Sequence, residues 1–351
     1  MSTTGYLTTL DGGQDQGLLL YLEPSKTEIH KAKVLHEFRG DLGSQPVAGL
    51  RRAPNGILYG ITLRGGDFDT GTLYALDPST QTVEVLYQGE EGGPRHPIGL
   101  PVWTEEGGLY GVSLFGGQHN AGTLYRFDLQ SKQMQILHSF EGPEGAHPLE
   151  ALVLGAEGWL YGATALGGKN DIGVLFGYHI PQRRFEVLWH LEGEREADPS
   201  YFAVLEHVPT YSPHSGQLCS PLVWHPSGKL YCLVNPDSRK IRKRYLGYFD
   251  VGEARFRPLI ALQETDTSLC RPQPLVLDQQ DWLWTVSDTE LYAFHVHSLE
   301  RRTICPLPIP LDVQEQQYGD KGLTLTGLLL GMDGFVYAWN PSSLYRLCVQ
   351  T

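Results

Sequence analysis

The sequence predicts an all-β chain, a β-propeller of four-stranded antiparallel blades numbering seven, or six in the alternative count, closed non-covalently between its N- and C-terminal strands. Three observations predict it. First, Gly56-Ile57-Leu58-Tyr59-Gly60 returns as Gly107-Gly108-Leu109-Tyr110-Gly111 and as Gly158-Trp159-Leu160-Tyr161-Gly162, a spacing of 51 residues both times. Second, the same offset carries Gly65-Gly66 to Gly116-Gly117 and Gly167-Gly168, and Gly71-Thr72-Leu73-Tyr74 to Gly122-Thr123-Leu124-Tyr125 and Gly173-Val174-Leu175-Phe176. Third, 41 glycines, 23 prolines and only 19% charged residues suit short strands joined by tight turns better than long helices. One body over residues 1–351 is expected, because propellers of this length are single domains.

Each unit reads as four short runs of β-branched, aromatic and alternating residues, here strands a to d, separated by Gly, Pro, Asn and Asp. In the second unit these are about Val47–Arg52, Ile57–Leu63, Thr72–Leu76 and Thr82–Tyr87. Pro54-Asn55-Gly56 and Asp77-Pro78-Ser79 close its hairpins, since Gly and Asn accept positive φ and Pro presets a turn. Later strands b are marked by Gly228-Lys229-Leu230-Tyr231-Cys232, Asp281-Trp282-Leu283-Trp284 and Gly334-Phe335-Val336-Tyr337-Ala338. The N-terminus supplies strands b, c and d (Tyr6–Leu10, Leu18–Leu22, Lys33–Phe38), and the C-terminus supplies a, b and c. No four-stranded sheet buries both faces alone, so the sheets must stack. The recurring Leu-Tyr-Gly aromatics are then packing residues between blades rather than a ligand cage.

With these landmarks, residues 40–192 resemble the tandem GloVer repeat of bacterial propeller-like proteins: Leu58-Tyr59-Gly60-Ile61-Thr62, Gly65-Gly66, Gly71-Thr72-Leu73-Tyr74 and the Leu137-His138-Ser139-Phe140 strand carry the likeness, and the rest of the chain matches loosely. The resemblance implies the fold and a bacterial origin. Proteins of that kind look surface-anchored with signal peptides; no catalytic residue comes with the resemblance.

Charge and cysteine content narrow the function classes. Lys plus Arg (27) against Asp plus Glu (40) leaves −13, a field that disfavours nucleic acid. The basic run Arg239-Lys240-Ile241-Arg242-Lys243-Arg244 reads as a solvated loop. Cysteines 219, 232, 270, 305 and 348 are odd in number and contain no C-x-x-C pair, so neither a disulfide framework nor a zinc knuckle is indicated. Met1 to Tyr6 has no basic and apolar leader pattern, and no apolar stretch approaches membrane-spanning length. A cytoplasmic monomer without membrane contact is expected.

Alternating strand direction puts the d-to-a and b-to-c loops on one face, where propellers gather ligand-binding residues around the channel mouth. Two polar rows fall there in phase. The first is Gln45, His96, His147 and Asp198, each directly before a proline; the second is Asp69, Asn120 and Asp171. Imidazoles and carboxylates converging on a channel could hold a divalent metal, with His96 and His147 as ligands, or supply acid and base with Asp198 and Arg95 assisting. The same residues could equally cap turns and close Asx turns. Insertions at about 192–218, carrying Tyr201, Phe202, His207 and Tyr211, and at about 306–322 are expected to shape the ligand site. Hydrolase, metalloprotease, P-loop, EF-hand and Rossmann motifs are absent. Two functions remain: a module binding a small molecule or protein at this face, and a small-molecule lyase, isomerase or metal-dependent enzyme.

Overall fold

The structure, a computed structural model, describes residues 5–9, 17–22, 32–46, 49–191, 220–234, 243–263, 275–286, 290–306, 327–330, 336–340 and 343–347. Its strands fall in two compact units, Met1–Glu192 and Gly193–Thr351. In the first, sheet one is β1 (Gly5–Thr9), β2 (Leu18–Leu22) and β3 (Ala32–Glu37); sheet two is β4 (Arg51–Arg52), β5 (Leu58–Thr62), β6 (Thr72–Asp77) and β7 (Thr82–Gln88). Sheet three is β8 (Arg95–Trp103), β9 (Gly108–Phe115), β10 (Thr123–Asp128) and β11 (Gln133–Ser139); sheet four is β12 (Ala146–Leu154), β13 (Trp159–Leu166), β14 (Val174–His179) and β15 (Arg184–His190). In the second unit, sheet five is β16 (Val223–His225), β17 (Lys229–Val234), β18 (Lys243–Asp250) and β19 (Arg255–Gln263). Sheet six is β20 (Leu275–Leu277), β21 (Trp282–Val286), β22 (Glu290–His295) and β23 (Arg301–Pro306); sheet seven is β24 (Gly327–Leu330), β25 (Val336–Asn340) and β26 (Ser343–Leu347).

Every sheet is an antiparallel meander of strands in chain order, so five sheets carry strands a to d, the first carries b to d and the last a to c. Among the described residues there is no α-helix, and none is long and apolar enough to cross a membrane. In sheet two β4 pairs through Arg51 and Arg52 with Tyr59 and Leu58, and Ser44, upstream of it, forms a further antiparallel bridge with Arg64. The insertion at 192–218 lies outside the described residues, as do all of 306–322 except Pro306 and all of the basic run except Lys243 and Arg244.

Within each unit strand a of one sheet packs on strand a of the next: β4 on β8 and β8 on β12 in the first, β16 on β20 and β20 on β24 in the second. All five residues of β5 are buried, which a half-exposed strand would not allow. Period-2 alternation explains this. Leu58 faces Leu19 and Phe38 of sheet one, whereas Tyr59 and Ile61 face Leu109 and Phe127 of sheet three. In the second unit Tyr231 and Leu233 pack likewise against Leu283, Tyr292 and Phe294.

The Leu-Tyr-Gly repeat has a steric cause. Gly60, Gly111 and Gly162 pair across the sheet with Tyr74, Tyr125 and Phe176. A Cβ at any of the three would overlap the tip of the ring opposite. Glycine in strand b therefore makes the space in which the strand c aromatic lies buried.

Candidate functional site

In a meander the a–b and c–d turns leave one end of a sheet, and the b–c loops and d–a junctions leave the other. The second end holds the residues singled out from sequence. At its d–a junctions, Gln45, His96 and His147 all adopt left-handed backbone, with φ of 56°, 52° and 52°. His96 donates its backbone N–H to Thr70 O of sheet two (2.6 Å), and His147 donates to Ala121 O of sheet three (2.7 Å).

The imidazoles reach back the same way. His96 Nδ1 lies 2.9 Å from Leu63 O, and His147 Nδ1 lies 2.9 Å from Leu114 O. A carbonyl only accepts, so Nδ1 carries the proton and Nε2 holds the lone pair in each neutral ring. Burial lowers the His96 pKa, against the opposing pull of its Leu63 hydrogen bond, and keeps this ring neutral at physiological pH. Phe115 meets both rings edge-on, at centroid separations of 5.6 and 5.2 Å. Among the described residues, neither histidine belongs to a three-ligand group. Arg95 donates to Asn120 Oδ1 at 2.5 Å. Asp198, Tyr201, Phe202, His207 and Tyr211 lie outside the described residues.

The second row frames the b–c loops. Oδ1 of Asp69, Asn120 and Asp171 accepts the backbone N–H of Gly65, Gly116 and Gly167 at 2.8, 3.0 and 3.0 Å. Each of the three sits at φ between 51° and 55°. Each returns its own N–H to the second glycine of the pair, Gly66, Gly117 or Gly168. These are local loop closures, the turn-forming alternative named for them above.

Within that constant frame the tips vary. Residues 67, 118 and 169 are Asp, Gln and Lys, and residues 68, 119 and 170 are Phe, His and Asn; all six are exposed. Phe68 leaves 69% of its surface open, the most exposed large apolar side chain among the described residues. His119 faces Glu141 at 3.1 Å, and Asn170 donates to Leu191 O at 3.0 Å.

A different cluster lies in the second unit, at the opposite end of the sheets. His225 ends β16, Asp281 stands in the a–b turn before β21, and His297 stands in the c–d turn after β22. His225 Nε2 is 3.3 Å from Asp281 Oδ1, and His297 Nε2 is 3.1 Å from Asp281 Oδ2. The two imidazole centroids are 5.5 Å apart. His225 is buried, Asp281 half-buried and His297 exposed, and one ligand atom from each lies within 4.8 Å of the others.

The model of the Gloeobacter/Verrucomicrobia repeat matches residues 3–209. The chain belongs to the Gloeobacter/Verrucomicrobia repeat family. No curated protein matches its sequence. Among solved structures, this family member resembles the extracellular domain of a one-component system from B. thetaiotaomicron, with TM-score 0.57 and 12% identity over 98% of this chain and 38% of that one. An oligogalacturonate lyase in complex with manganese gives TM-score 0.52 at 12% identity, covering 98% of this chain and 84% of the lyase. A prolyl endopeptidase gives 0.52 at 11% identity, over 95% and 46%. The family member thus spans 38% of the length of the first of these. At such identities the likeness is one of fold, a propeller-like array of antiparallel sheets.

The His225, Asp281 and His297 cluster lies beyond the stretch that the family repeat matches, and sequence reasoning passed over it. One signal was available. Asp281 occupies the turn position that Gly56, Gly107, Gly158 and Gly228 hold elsewhere.

Proposed function

We propose that this member of the Gloeobacter/Verrucomicrobia repeat family is a binding module whose ligand, a small molecule or a protein segment, contacts the b–c loop tips. The observation that carries this reading is the separation of frame from tip. Gly65, Gly116, Gly167 and the Asx acceptors keep one loop shape, while residues 67–68, 118–119 and 169–170 differ in size, charge and polarity and face solvent. Varied side chains on a repeated rigid support form an extended recognition surface. The anchoring of His96 and His147 to main-chain carbonyls gives them a framework task that needs no substrate.

In this reading the chain acts as a monomer in the cytoplasm, and its −13 charge selects against nucleic acid. Among the described residues, seven sheets, the first without strand a and the last without strand d, suit a seven-bladed ring closed between its terminal strands. The test is a thermal-shift and glycan-array screen of the wild type beside a Phe68→Ala, His119→Ala, Asn170→Ala triple variant. Ligands that stabilise only the wild type support the reading; equal responses from both proteins refute it.

A second reading, a small-molecule lyase, isomerase or metal-dependent enzyme, draws on the Nε2 lone pairs of His96 and His147 and on the lyase among the fold neighbours. Turnover by the wild type that disappears in a folded His96→Ala variant would select it.

A further inference from the structure

We propose that His225, Asp281 and His297 bind one divalent transition-metal ion of the zinc type, joining sheets five and six at their a–b and c–d turns. The site is separate from the loop-tip surface and from the histidines at the d–a junctions.

The donor set selects the ion. Two imidazole nitrogens with one carboxylate suit zinc and its first-row neighbours, whereas calcium and magnesium take oxygen ligands throughout. Three protein ligands leave a coordination position for water.

The spacing matches as well. Bonds of 2.0–2.1 Å in a tetrahedral shell place neighbouring donor atoms roughly 3.3 Å apart. Each Nε2 lies at about that distance from one carboxylate oxygen, 3.3 Å from Oδ1 for His225 and 3.1 Å from Oδ2 for His297, and one ligand atom from each residue lies within 4.8 Å of the others. His225, only 6% exposed, is held from behind by Ser227, whose Oγ lies 2.7 Å and whose backbone N lies 3.1 Å from Nδ1. Tyr231 meets the other side of the ring edge-on at a centroid distance of 6.2 Å.

Asp281 adds an independent indication. At the equivalent turn, Gly107, Gly158 and Gly228 accept a hydrogen bond from Leu129, Ile180 and Val251, and Asp281 O accepts the same bond from Val296 at 2.9 Å. Those glycines have φ of 75°, 78° and 85°, and Asp281 keeps a left-handed 62°. A side chain here strains the backbone where glycine does not. What the carboxylate adds is a pair of oxygens directed at two imidazoles from two sheets.

The competing account is a carboxylate that merely accepts hydrogen bonds from both histidines. Calorimetric titration of the chelator-treated full-length chain with Zn2+, with metal content read by elemental mass spectrometry, separates the two. We expect a single equivalent of zinc, a zinc-dependent rise in melting temperature, and the visible ligand-field bands of a tetrahedral Co2+ complex on cobalt substitution. Asp281→Gly restores the residue found at the other turns, so without metal it melts no lower than the wild type. Its zinc affinity falls by on the order of a hundredfold or more, above the loss that outer-shell changes alone produce. The Phe68→Ala, His119→Ala, Asn170→Ala protein binds zinc like the wild type, so failure of the loop-tip reading and failure of this one are distinguishable. Absence of zinc uptake by the wild type, or unchanged affinity in Asp281→Gly, overturns the proposal.

Discussion

His96 Nδ1 donates to Leu63 O across 2.9 Å, so the side chain that opens sheet three is fastened to the main chain of sheet two. The same contact, one register on, ties His147 of sheet four to Leu114 of sheet three. Removing it leaves a carbonyl without its donor and strips an edge-on ring from Phe115. His96→Ala is expected to lower stability by about 1–3 kcal/mol, measured as the shift in urea midpoint. His96→Asn, which tolerates the left-handed backbone, recovers part of the loss.

Four histidines, His96 buried and three half-buried, give stability a definite pH dependence. Desolvation lowers the pKa of His36, His96, His138 and His190. Each folded value then lies below the unfolded value of about 6.5, so the unfolded chain takes up protons first as the pH falls. Stability is full above that value, declines below it, and levels once the folded pKa is passed. The urea midpoint should therefore drop between about pH 7.5 and pH 5.5. His138 stacks on Phe185 with ring centroids 3.7 Å apart, so His138→Phe keeps the packing and should flatten this drop.

Adding a methyl group inside strand b should be costly. Gly111→Ala drives a Cβ into the Tyr125 ring, whose burial leaves it little room to move. A loss of about 1–3 kcal/mol is expected from thermal or urea unfolding. The Gly111→Ala, Tyr125→Leu double variant should be more stable than the sum of the two single losses, because the second change removes the clash made by the first.

The loop frame accepts Asp or Asn but needs one of them. Asp171→Asn should leave the melting temperature nearly unchanged, since Asn120 already performs that task on Gly116. Asp171→Ala leaves the Gly167 N–H without its side-chain acceptor and should cost about 1 kcal/mol.

Much of this was legible in the sequence. The 51-residue register placed strands b, c and d of the first unit to within a residue or two, because glycine turns and buried aromatics recur in fixed phase. It also identified the end sheets as b–c–d and a–b–c. The Asx closures at Asp69, Asn120 and Asp171 were foreseeable, being bonds within one loop. The attachments of His96 and His147 were not, since each acceptor lies 33 residues upstream on another sheet. His225, Asp281 and His297 were harder still. Their repeats are degraded, they stand at the end of the sheets opposite the one searched, and a 56-residue interval separates His225 from Asp281.

The division between frame and tip makes the first unit a display surface with addressable sites. Residues 67, 68, 118, 119, 169 and 170 are exposed, and the acceptors that shape each loop come from elsewhere in it. Randomising those positions would change what the protein recognises while keeping the Asx closures, with the Asn170–Leu191 and His119–Glu141 contacts as the ones given up. New specificities could then arise one blade at a time, without renegotiating the core.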